Sequence, residues 1–110
     1  MTSQHRLYAT TEGCRDLEAT RELLQVIGAR LDGLHDRGAI AGYKLLVLAR
    51  EDDYEDEDLD RPAIERETRG RFPCLFLNVT YRDTPPPDMT AVDAVAAEYK
   101  FGYLTESADQ

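Results

Sequence analysis

Eight of the ten residues from Glu51 to Asp60 (EDDYEDEDLD) carry carboxylates: Glu51, Asp52, Asp53, Glu55, Asp56, Glu57, Asp58 and Asp60. Carboxylates at this density suit two chemistries. They can ligate a hard cation, or they can present a concentrated negative field to a basic surface. The spacing bears on the first. Asp56, Asp58 and Asp60 fall at positions 1, 3 and 5 of a calcium-loop pattern, and Glu67 falls at position 12. Position 6, where the sharp turn needs glycine, is Arg61. No strong helix precedes the loop, so no metal site is expected. Of the two chemistries the second has the firmer basis, and the plain alternative to both is a solvated, self-repelling loop with no partner. The formal net charge is −9, and it falls to −1 once these eight carboxylates are set aside. The acidity is one local feature, interrupted by Tyr54 and Leu59, which are suited to act as apolar anchors within it. Arg61, Arg66, Arg69 and Arg71 follow directly and could fold back to neutralise it.

Cys14 is a candidate reactive thiol. It lies in TTEGCRD, an expected strand-to-helix junction, and a thiol at a helix N-terminus can have a lowered pKa. Gly13, Thr10 and Thr11 could shape an anion pocket with the helix amides. A phosphatase-type loop places arginine six residues after its nucleophile; here position 20 is Thr20 and Arg21 comes one residue late. Glu12 would repel an anion. The plain alternative is a turn cysteine packed beneath the helix.

The remaining candidates exclude more than they assign. His5 and His35 are the only histidines, with no Ser–His–Asp or Cys–His spacing. His35, near a helix end, reads as a dipole partner. Cys14 and Cys74 form neither a zinc pattern nor a disulfide framework. Arg69–Phe76 (RGRFPCLF) matches the RNA-binding octapeptide at Arg69, Gly70 and Phe76, but Arg71 and Pro73 stand where aromatic residues belong. With 22 acidic against 13 basic residues, neither direct nucleic-acid binding nor docking on anionic lipid is expected. No catalytic residue and no cofactor is assigned.

The elements that must position these residues follow from periodicity. His5 to Thr10 reads as a short strand. Gly13 to Arg37 is the strongest helix signal, with Leu17, Leu24, Ile27, Leu31 and Leu34 at helical spacing and Thr20 filling one gap. Leu23 and Val26 widen that stripe, Gly28 and Gly33 suggest close packing, and Gly38 caps the end. Ala41 to Arg50 reads as a buried strand. Pro73 to Arg82 reads as another, with Leu75, Leu77, Val79 and Tyr81 on one face and Cys74, Phe76, Asn78 and Thr80 on the other. Thr84–Pro87 breaks the chain. A second helix spans about Thr90 to Lys100, capped by Thr90 with Asp93. Phe101 to Thr105 is a last short strand, and 106–110 a polar, flexible tail. The 110 residues make a single α+β domain.

The order strand, helix, strand, strand, helix, strand points to a ferredoxin-like βαββαβ sandwich. Its unusual feature is the acidic insertion, 51–72, between strands 2 and 3. Loops of that length are usually functional or disordered. Its second half, RPAIERETRG, reads as a short helix with Asp60 as cap, Pro62 in its first turn and Gly70 at its end.

The sheet face away from the helices would carry Phe76, Cys74 and, depending on register, Tyr8 and Tyr103. A homodimer or the insertion itself would cover it. No apolar run reaches the ~20 residues needed to span a bilayer and the N-terminus lacks a secretory pattern, so a cytoplasmic protein is expected. The reading is a small acidic interaction protein, an inhibitor, immunity-type or nucleic-acid-mimicking adaptor. It would meet a basic protein partner through residues 51–60. The alternative is a dimeric ferredoxin-like enzyme or small-molecule sensor with a polar cluster near Asn78, Thr80 and Tyr8 at the open sheet face.

Overall fold

A computed structural model describes residues 3–49, 61–82 and 88–109. They form β1 (Ser3–Thr10), α1 (Leu17–Asp36), β2 (Gly42–Leu48), α2 (Arg61–Thr68), β3 (Cys74–Arg82), α3 (Met89–Glu98) and β4 (Gly102–Asp109). The four strands make one antiparallel sheet in the order β2-β3-β1-β4. The class is mixed α+β, with three helices among the described residues.

The helical stripe behaves as the spacing predicts. Thr20, Ile27, Leu31 and Leu34 are buried on α1. The Thr20 hydroxyl donates to the Asp16 carbonyl at 2.6 Å, which is how a polar residue fits an apolar face. Asp16 is the N-cap and accepts from the Ala19 amide at 2.7 Å. At the other end Gly38 takes φ +76°, and the Ala39 amide closes on the Leu34 carbonyl at 2.9 Å. Val26 does not join the core: it is 53% exposed. Of the two helix glycines, a Cβ on Gly28 would meet the Tyr43 hydroxyl, whereas one on Gly33 would meet nothing.

Strand β3 is buried from Cys74 to Val79, because it lies inside the sheet with helices on both faces. The expectation that strand 2 is buried needs correction. β2 is an edge strand, and Leu48 is its only fully buried residue. The cap of α3 is also corrected. Thr90 lies within the helix, and Asp88 is the N-cap, accepting from the Ala91 amide at 3.2 Å. Thr84–Pro87 falls outside the described residues. β4 extends through Asp109, pairing with β1 past a register shift at Leu7/Tyr8; the expected strand stopped at Thr105.

Two apolar clusters result. Ile27, Leu31, Leu75, Leu77, Val79, Val92, Val95 and Phe101 fill the space between the sheet and α1 with α3. Leu7, Ala9, Leu48, Ile64, Cys74 and Phe76 fill the other face, under α2. Among the described residues no helix is long and apolar enough to cross a membrane.

Candidate interaction site and its surroundings

The acidic run, from Glu51 to Asp60, lies outside the described residues, but both of its anchors lie within them. On one side β2 ends at Leu48, paired with Cys74. On the other, α2 begins at Arg61, as the helix signal in RPAIERETRG predicts. Ala63, Ile64 and Thr68 are buried, and the Thr68 hydroxyl donates to the Ile64 carbonyl at 2.7 Å. The helix stops at Gly70, φ +71°, whose amide donates to the Glu65 carbonyl at 3.2 Å. The second half of the insertion therefore lies over the sheet face opposite α1 and α3.

Arg66, Arg69 and Arg71 are exposed, and none of the three forms an ion pair among the described residues. The calcium pattern gains nothing here. Asp56, Asp58 and Asp60 fall outside the described residues, and Glu67 lies across Gly102, where an added Cβ would strike its carboxylate. Among the described residues no group of His, Cys, Asp or Glu could hold a metal ion. Phe76 is fully buried, so it cannot serve as a stacking platform for a base.

The open face differs from expectation in its membership. Tyr8 and Tyr103 pair with each other across β1 and β4 on the α1/α3 side, with ring centroids 5.7 Å apart. Strand register explains this: Tyr8 sits opposite Leu77, and Leu7 opposite Asn78. The Tyr8 hydroxyl is buried with no hydrogen-bond partner among the described residues. That burial raises its pKa, while the nearby Arg6 guanidinium acts in the opposite sense. Arg6 itself pairs with Asp93 at 3.2 Å and lies 5.8 Å from the Tyr103 ring centroid.

At the end of the open face beyond α2 sits a polar cluster that includes a residue missed in the sequence. His5 Nδ1 lies 3.0 Å from Asn78 Oδ1 and 3.1 Å from Thr80 Oγ1. Asn78 is only 4% exposed. His5 takes the place expected for Tyr8, because His5, not Tyr8, shares the parity of Thr80.

Cys14 follows the β1–α1 turn and is buried against the α1-side core. Its Sγ lies 3.9 Å from the carbonyls of Thr10 and Glu12. Burial pushes its pKa up, and the Glu12 carboxylate adds to that; contacts with Thr20 and the Leu75 backbone offset part of it. The direction is opposite to that of an activated thiol. Cys74, fully buried on the other face, is pushed up to about 12 by burial and by the neighbouring Cys14. Thr10 is committed elsewhere. Its hydroxyl contacts the Lys100 carbonyl at 3.0 Å and accepts from the Glu12 amide at 3.1 Å. Thr11, by contrast, lines a cleft of about 530 Å³ with Cys14, Arg15, Arg71, Phe72 and Pro73. Arg15 had no signal in the sequence, because the segment that faces it is remote in the chain. No protein-family model, curated protein or solved structure matches the chain.

Proposed function

We propose that this chain is a small acidic interaction protein, an inhibitor, immunity-type or nucleic-acid-mimicking adaptor. It occupies a basic site on a protein partner through Glu51–Asp60. We also propose that the domain is a ferredoxin-like sandwich. The four-stranded antiparallel sheet with α1 and α3 packed on one face supports that reading, and α2, inserted between β2 and β3, departs from its simplest form.

The observation that carries the functional reading is the concentration of charge between two anchored ends. Eight carboxylates occupy ten positions while the remainder of the chain stands at −1. The flanking strand and helix are both packed on the sheet, with Leu48 and Ile64 in one apolar cluster. A field carried on anchored ends steers oppositely charged partners and raises association rates. It also fades with salt, since the screening length is ~8 Å at physiological ionic strength.

The test is a pull-down from the native host's lysate. Wild type is compared with a variant carrying serine in place of all eight carboxylates, at low and moderate salt. A basic protein retained by wild type alone, and released as salt rises, is the expected result. Identical captures by the two proteins would remove the acidic run from the mechanism.

The second reading, a dimeric enzyme or small-molecule sensor working at the open sheet face, draws its support from the His5–Asn78–Thr80 cluster. It expects a ligand to perturb the His5 ring resonances, and those of wild type and the eight-serine variant alike.

A further inference from the structure

We infer that the cleft between the β1–α1 turn and the α2–β3 connection binds a small organic oxyanion, a phosphate monoester or a carboxylate. The walls come from two distant segments, Thr11, Cys14 and Arg15 from one and Arg71, Phe72 and Pro73 from the other. A cleft of about 530 Å³ lies within the ~300–1,000 Å³ typical of small-molecule sites. Its lining is more polar than is typical of such sites. Phe72 and Pro73 offer an apolar surface, and two guanidiniums and a hydroxyl offer the polar groups.

The guanidiniums carry the argument. Arg6 pairs with Asp93, and Arg30 with Glu98; Arg66 and Arg69 are unpaired as well among the described residues but do not line this cleft. Arg15 and Arg71 are exposed on the same cleft. Among the described residues neither side chain forms an ion pair or hydrogen bond. The acids nearest in sequence do not neutralise them. Asp16 is engaged as the cap of α1, and Glu12 is not part of the cleft wall. Two unengaged guanidiniums lining one cleft each offer a planar fork able to take a carboxylate or phosphate group bidentately. Thr11 can add a hydroxyl donor, and a flat apolar substituent would lie along Phe72. Glu12, close enough to raise the Cys14 pKa, opposes binding and sets its strength.

The experiment is an amide proton–nitrogen correlation titration of the full chain with phenyl phosphate and, separately, with benzoate, at constant ionic strength. The expected result is saturable shifts at Thr11–Arg15 and Gly70–Phe72. Kd should weaken by about tenfold or more in Arg15→Gln and in Arg71→Gln, each of which removes a charged bidentate donor. Glu12→Gln should tighten it. All three positions are exposed, so the unliganded variant spectra serve as the folding control. Saturation by phenyl phosphate alone would assign the site to phosphate monoesters, and by benzoate alone to carboxylates; either outcome supports the inference. No saturation by either probe, or shifts that persist unchanged in both arginine variants, would overturn it.

Discussion

The two faces of the sheet are built on different terms. The face beneath α1 and α3 is a continuous apolar layer, drawing Leu75, Leu77 and Val79 from β3 and Ile27 and Leu31 from α1. The opposite face is divided along its length. One end is apolar, with Phe76, Cys74 and Leu7 under Ile64 of α2. The other end is polar, with His5, Asn78 and Thr80 in contact. The first face depends on α1, 20 residues long, whose own periodicity demands burial, together with the 10-residue α3. The second depends on one two-turn helix that belongs to the insertion. A helix of 8 residues has little stability of its own, so α2 is held by what it covers. The anchor of the acidic run is therefore the less stable part of the domain, and a perturbation there should stay local.

The contrast is broken most directly by truncating each face in turn. Leu31→Ala removes a fully buried side chain from the larger cluster and should cost about 2–5 kcal/mol of global stability. Urea unfolding would measure it, with all probes moving together. Ile64→Ala makes a similar deletion on the second face and should cost less, ~2 kcal/mol, because α2 can settle toward the gap. Its effect should be a local opening. The two thiols report on this, since Cys14 belongs to the first cluster and Cys74 to the second. Alkylation of Cys74 should accelerate on the order of tenfold in Ile64→Ala, while Cys14 keeps its wild-type rate. Equal acceleration of both would mean that the faces open as one unit.

How much of this was legible in the sequence depends on which interactions are local. The α1 stripe, Gly38 at its end and the two faces of β3 follow from spacing along one segment. The helix in RPAIERETRG was legible too, from Pro62 and Gly70. Properties set by the neighbour were not. β2 has a composition suited to a central strand, LLVL, yet it lies at the edge. Nothing in its own residues reports whether one strand or two will flank it. Tyr8 was assigned a face that depends on register, and its pairing with Leu77 put it on the other side. The same limit hid His5 and Arg15. Each gains interest only from partners more than fifty residues away, Asn78 and Thr80 for one and Arg71 for the other. Val26 shows the converse: its spacing fits a widened stripe, but the sheet does not reach that side of the helix, and it is left 53% exposed.

The smallest expected effect tests the rim of the first face, where a polar contact ties the edge strand to α1. The Tyr43 hydroxyl donates to Asp32 Oδ1 at 2.6 Å, with the Gly28 carbonyl 3.2 Å away. Burial, and then the Asp32 carboxylate, push its pKa from 10.0 up to about 12. Tyr43→Phe deletes the contact while keeping the ring, and should cost about 1 kcal/mol at neutral pH. The alkaline limb gives the sign. Below pH 10 both the folded and unfolded chains hold the phenolic proton, and the contribution is fully present. As pH rises from 10 through about 12, the unfolded chain releases that proton first, so wild type loses stability that the phenylalanine variant does not have to lose. The gap between the two proteins should therefore narrow over that interval, measured as urea midpoints at successive pH values. A gap that stays constant would mean the hydroxyl contributes through packing rather than through its bond to Asp32. β2 would then be held to α1 by apolar contact alone, as on the rest of that face.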